Sequence, residues 1–211
     1  MQRILAIGSP GEWIRETLDS DWVGVQHSNL FSQFFGGFLP DGTLLGCSSS
    51  AAGTDFYTRA TFHDDWILAH SDRDPHSVRG GILALVVYPD GSLVAVNGLD
   101  YQLSTARSFR DKFVLAPTDP PIQMAKICAF PDGTILGLPA HYINDLIGLT
   151  AVPNSSIEKS DEFYTRATLK DKWVPARAGR LPSKSGFMPK IRDFAVFSDG
   201  SILCVAHDGQ L

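Results

Sequence analysis

The sequence predicts an all-β fold: a β-propeller of four blades, each of four antiparallel strands, with five blades as the alternative. Two alternating phrases and their spacing carry that expectation. The first is a turn that returns four times: Pro40-Asp41-Gly42-Thr43, Pro89-Asp90-Gly91-Ser92, Pro131-Asp132-Gly133-Thr134 and Ser198-Asp199-Gly200-Ser201. Asp-Gly between two β-type runs is a strong hairpin signal, because glycine supplies the positive φ of a tight turn. The second phrase runs from Phe56 to Trp66 and returns nearly letter for letter from Phe163 to Trp173, more loosely from Leu103 to Phe113 and from Glu12 to Trp22. Self-similarity at roughly 40–50 residues marks an array, and four short strands per unit is the composition of a propeller blade.

Each unit reads in the same order. Its first strand is an apolar run before the turn (Phe34 to Leu39, Ile82 to Tyr88, Ile127 to Phe130, Phe194 to Phe197). Its second is an apolar run after it (Leu44 to Cys47, Leu93 to Val96, Ile135 to Leu138, Ile202 to Val205). A polar loop, the Tyr-Thr-Arg strand, a short polar turn and a strand opening on Trp or Phe complete the blade. The units fall at approximately 30–70, 82–117, 124–177 and 191–211 plus 1–27, in a single domain spanning 1–211. The third carries an insertion near Pro139 to Ile157, which a loop absorbs at little cost in closure entropy.

The chain opens just before a third-strand phrase and closes just after a second-strand phrase, so one blade is expected to form from both termini. The join is not clean. Met1 to Ser9 are surplus, and Ile4-Leu5-Ala6-Ile7-Gly8 reads as a strand, either an outer one or one that pairs with a neighbouring molecule in a homo-oligomer.

Apolar residues make up 44% and charged residues 19%, as in an ordinary globular protein, and 13 Phe with 19 Gly suit many strands and tight turns. The net charge is −5 with no basic stretch, which argues against a nucleic-acid surface, since phosphate binding rests on clustered Lys and Arg. There is no apolar run long enough for a transmembrane helix. The N-terminal apolar run is too short for a secretory signal, which leaves the location open between cytoplasmic and a secreted form without a leader in this numbering. Cys47, Cys128 and Cys204 lie in apolar strands and read as buried thiols that pack as small hydrophobes.

No motif for catalysis is present: no Gly-x-Ser-x-Gly elbow, no phosphate-cradling glycine loop, no His-Glu-x-x-His and no Cys-x-x-Cys. The first strands, which would line a central channel, carry only Lys126 and Asp193 as charges. The expectation is a protein that is not an enzyme and holds no cofactor and no metal. Turn geometry accounts for the repeated Asp before Gly more simply than calcium does. Trp22, Trp66, Phe113 and Trp173 read either as aromatics packed between blades or as platforms on which a sugar ring stacks. Arg15, Arg59 and Arg166 share one matched position, occupied by Ala106 in the remaining copy. They read either as donors to ligand hydroxyls or as ties between blades through backbone carbonyls. The loops vary between repeats while the strands stay alike, and binding residues concentrate on loops held by a rigid scaffold.

Pro89-Asp90-Gly91-Ser92-Leu93-Val94-Ala95-Val96, taken with Arg59 and Trp66 and their repeats, resembles the units of tectonin and tachylectin-2-type β-propeller lectins. The resemblance covers nearly the whole chain as an organisation, with fewer Trp and less regular repeats than in those lectins. It implies a non-catalytic, multivalent protein that binds glycans or glycoproteins at repeated shallow sites. The candidate ligand-binding residues are Tyr57, Arg59, Tyr164, Arg166, Arg15 and Trp13. The competing reading is a protein–protein interaction scaffold, because fold alone licenses neither function.

Overall fold

Seventeen strands and no helix make up the described part of the computed structural model, which comprises residues 4–8, 11–15, 21, 23–25, 35–50, 52–74, 78, 80–116, 123–139, 163–176, 191–196 and 199–206. Three antiparallel four-stranded sheets form the body. The first contains β4 (Phe35–Phe38), β5 (Leu44–Ser50), β6 (Gly53–Arg59) and β7 (Ile67–Asp72). The second contains β8 (Ile82–Val87), β9 (Leu93–Asn97), β10 (Leu103–Ala106) and β11 (Val114–Leu115). The third contains β12 (Met124–Ala129), β13 (Ile135–Pro139), β14 (Tyr164–Arg166) and β15 (Val174–Pro175). Strands follow one another in sheet order, as an up-and-down blade requires. The innermost strands β4, β8, β12 and β16 (Ile191–Val196) lie beside one another in sequence. The protein is a β-propeller.

The Asp-Gly turns are superimposable in their bonding. Gly42, Gly91, Gly133 and Gly200 have φ of 85°, 84°, 87° and 82°, a region open to glycine and costly for residues with a Cβ. In every copy the Asp Oδ1 accepts a hydrogen bond from the backbone N–H two residues on, at 2.9 Å, from Thr43, Ser92, Thr134 and Ser201. The repeated carboxylate is thus engaged in closing its own turn.

The core lies between sheets rather than within them. Leu93 and Ala95 face a cluster with Leu45, Phe56 and Phe113, whereas Val94 and Val96 face one with Met124, Ile135, Tyr164 and Trp173. Both faces of β9 are therefore covered, and all five of its residues are buried, as are those of β13. This explains why the second strands read as unbroken apolar runs instead of alternating with polar residues. A third cluster joins Leu136, Leu138 and Phe163 to Phe194 of β16.

The ends of the chain depart from the expected shared blade. Ile4–Gly8 (β1) pairs with β2 (Gly11–Arg15), and β2 pairs with β3 (Val23–Val25) in a three-stranded sheet, while β16 and β17 (Ile202–Ala206) form a separate two-stranded one. The register explains the difference. Ile4 stands opposite Arg15 as Leu44 stands opposite Arg59 and Ile135 opposite Arg166. The surplus segment thus occupies the second-strand place beside β2, the place the tail was expected to fill. Within the described residues β1 is a margin strand of this three-stranded sheet. Most of the insertion after Pro139 lies outside the described residues.

Candidate functional site

The third strand of each full blade ends in a tight turn that leads to the fourth. In these turns the backbone N–H of Asp64, Asp111 and Asp171 donates to the carbonyl of Thr61, Ser108 and Thr168. The aspartate then reaches back: Asp64 and Asp171 accept from the N–H of Thr61 and Thr168 at 2.7 Å, and Asp111 accepts from Ser108 Oγ at 2.8 Å. This Thr/Ser-x-x-Asp spacing was a turn signal available in the sequence. Its effect is to fold the aromatic at the start of the fourth strand back over the end of the third.

That fold places the repeated arginines. Arg59 and Arg166 are each 2% exposed. The Arg59 guanidinium carbon lies 4.3 Å from the Trp66 ring centroid, and that of Arg166 lies 5.1 Å from the Trp173 centroid. Arg166 Nε also donates to the Thr168 carbonyl at 2.9 Å. Burial pushes the Arg166 pKa below its ordinary value, partly offset by Tyr88 and Asp171 nearby. This geometry is that of a brace within one blade, holding strand, turn and indole together.

The other candidates divide. Tyr164 is buried in the core between the second and third blades, and Tyr57 is half-buried on β6. Trp13 and Arg15 lie two positions apart on β2, opposite Ala6 and Ile4 of β1; their side chains are outside the described residues. Trp173 is buried, whereas Trp66 is half-buried and packs against Leu44 and Phe62. His70 stacks on Phe56, with centroids 6.3 Å apart. Among the described residues no group of His, Cys, Asp or Glu has the arrangement of a metal site.

Two features escaped sequence reasoning. The outer strands expose matched apolar pairs, Ile67-Leu68, Val114-Leu115 and Val174 beside Pro175. These strands stand at the sheet margins, where unpaired backbone groups are available to a partner. In addition, a cleft of ≈ 500 Å³ opens beside Ala106, the position that carries arginine in the other copies. Val114 and Leu169 give it apolar surface, and Ser92, Thr105, Arg107, Asp111 and Lys112 line the rest, while Leu93 and Ala106 beneath are buried.

No family model matches the chain, and no curated protein matches it. Solved structures do. The chain is similar to YCF48 bound to D1 peptide at 12% identity and a TM-score of 0.44, covering 96% of this chain and 57% of that one. It is also similar to a gluconolactonase-like protein at 14% identity and a TM-score of 0.43, covering 64% of this chain and 52% of that one. The chain therefore spans a little over half the length of each.

Proposed function

We propose that this propeller is a non-catalytic protein-interaction scaffold. The observation that carries the reading is an exchange of what is exposed. The Arg of the repeated Tyr-Thr-Arg phrase, the best candidate for a replicated sugar contact, is buried against an indole in both full blades that carry it. What the blades repeat at the surface is apolar: Ile67, Val114 and Val174 open the outer strands at 68%, 59% and 53% exposure. Sugar recognition calls for polar donors aimed outward around an aromatic face, whereas apolar side chains on an open sheet margin suit another polypeptide.

The glycan-binding reading differs in what it requires, namely outward donors beside Tyr57 or Tyr164, and the two separate in one experiment. Affinity capture of defined partners is compared between the native protein and an Ile67→Asp, Val114→Asp, Val174→Asp variant, with a glycan array run on both. The scaffold reading expects a stoichiometric protein complex that the variant loses at unchanged melting temperature, and a blank array. Saturable glycan binding that the variant retains overturns it.

A further inference from the structure

The first blade departs from the other two full blades in its outer strand. β7 runs for six residues, Ile67–Asp72, whereas β11 and β15 have two residues each. It stands at the end of its sheet, paired with β6 on one side, and among the described residues no strand covers the other. A margin strand of that length has enough open N–H and C=O groups to take up a further strand. Its first two residues, Ile67 and Leu68, are apolar and exposed. The turn leading into it is also unlike its counterparts. Arg110-Asp111-Lys112 and Lys170-Asp171-Lys172 precede β11 and β15, whereas His63-Asp64-Asp65 precedes β7. Two carboxylates without a Lys or Arg make this the acidic turn of the three, and His63, Asp64 and Asp65 are all exposed.

We propose that the outer edge of β7 takes up an extended basic segment of a partner polypeptide as a further strand of the blade. Apolar side chains of that segment lie over Ile67 and Leu68, and a Lys or Arg meets Asp64 and Asp65. The proposal rests on the scaffold reading, choosing one of its three exposed margins and the chemistry of what binds there. Charge complementarity selects the occupant. Asp64 accepts from the N–H of Thr61, a contact that leaves its negative charge in place. At the far end of the strand the carboxylates are met from within the fold, Asp55 by Arg73 at 2.7 Å and Asp74 by Lys112 of the second blade at 2.6 Å. The basic contact therefore belongs at the entry turn. A second copy of the chain fits the edge less well. Two β7 strands paired antiparallel, with Ile67 opposite Asp72, would set Asp65 of one copy opposite Asp74 of the other, and like charges facing across strands destabilise a pairing. The basic turns of the second and third blades lead into strands of two residues, too short to fill an edge of six.

The test is selection of a displayed library of random linear peptides on the intact chain, followed by solution affinities for the winners. Enriched peptides should carry Lys or Arg next to apolar residues, and their binding should slow amide exchange within Ile67–Asp72 but not in β11 or β15. Leu68→Lys and, separately, Asp65→Lys should each weaken them by about tenfold or more. Both positions are exposed, so the melting temperature should hold. Native binding should weaken as salt is raised, and Val114→Asp, on the margin of the second blade, should leave it unchanged. Winners indifferent to Leu68→Lys and Asp65→Lys, or without a basic bias, overturn the β7 edge as the site; if Val114→Asp weakens them, the scaffold reading stands. A native chain that sediments as a dimer, beside a Leu68→Lys chain that sediments as a monomer, makes the occupant a second copy and overturns the basic partner. A library that yields no binder overturns the proposal, and beside a glycan array that binds it overturns the scaffold reading as well.

Discussion

Arg59 lies over the indole of Trp66, seven residues further along the chain and across a tight turn, and the contact buries its guanidinium almost completely. Arg166 and Trp173 repeat the relationship. Where the aromatic is Phe113 the arginine is Ala106, so the two positions change together within one chain. A cation over an indole gains more than one over a benzene ring, which gives the pairing a physical basis.

Arg59→Ala should therefore destabilise the fold by about 2–3 kcal/mol, combining a desolvated cation–π contact with lost packing of the aliphatic stem. Urea unfolding measures this. Partner affinity, corrected for the folded fraction, should stay unchanged.

A third position joins the set. A Cβ added to Gly137 would lie 2.7 Å from Met124 Sδ and 3.0 Å from the Trp173 ring. The matched residue is Ala95 in the blade of Phe113 and Gly46 in the blade of Trp66. The N-terminal copy mixes the two patterns, with Ala6 and Trp22. Gly137→Ala should cost about 1–3 kcal/mol by overpacking. Adding Trp173→Phe should recover much of it, because the smaller ring makes room and removes an indole N–H that is buried without a hydrogen bond among the described residues. A double-mutant cycle on thermal unfolding gives the coupling.

Trp173→Ala alone should cost about 3–5 kcal/mol, the scale for emptying an aromatic core site. Trp66→Ala should cost less, since that ring is half-buried. Equal losses in the two variants would contradict the burial difference.

The four turn aspartates give a signature in acid. Asp41 and Asp132 are held below the ordinary carboxylate value chiefly by the backbone N–H of Thr43 and Thr134, and Asp90 and Asp199 chiefly by the hydroxyls of Ser92 and Ser201. A carboxylate with a lowered folded pKa adds stability above its unfolded value of 3.8 and loses it as pH falls through the folded one. Carboxyl titration by NMR should find all four below 3.8, and Asp132→Asn should shrink the loss of stability below that pH.

Tyr88 supplies the alkaline counterpart. Burial pushes its phenol up from 10.0 to about 12, opposed by Arg166 and assisted by Asp90. Its contribution is complete below pH 10 and is lost as pH rises through the folded value, because the unfolded chain ionises first. Tyr88→Phe should flatten the fall in stability above pH 10.

Most strands and every Asp-Gly turn were legible because both signals are local: an apolar run, then a residue able to take positive φ. The arginine brace was not. Its partner indole sits beyond a turn, and an arginine on a strand reads by default as solvent-facing; only the paired change of Arg with Trp and Ala with Phe hinted otherwise. The place of Ile4–Gly8 was hidden for a different reason. The residues that follow it, Ser9-Pro10, lack the polar run found after the other second strands, so register alone, Ile4 opposite Arg15, reveals which strand it is.

The three larger core clusters are each shared by consecutive sheets, Phe113 lying parallel to Phe56 of the blade before it at 6.0 Å and Phe194 meeting Phe163 edge-on at 5.0 Å. Only the small cluster of Leu44, Phe62 and Trp66 lies within one blade among the described residues. The thermodynamic unit is then the seam, and stability behaves as a chain of nearest-neighbour couplings. Loosening one seam strips a face from two blades at once, so amide exchange there should quicken on both sides of the lesion and fade with distance from blade to blade.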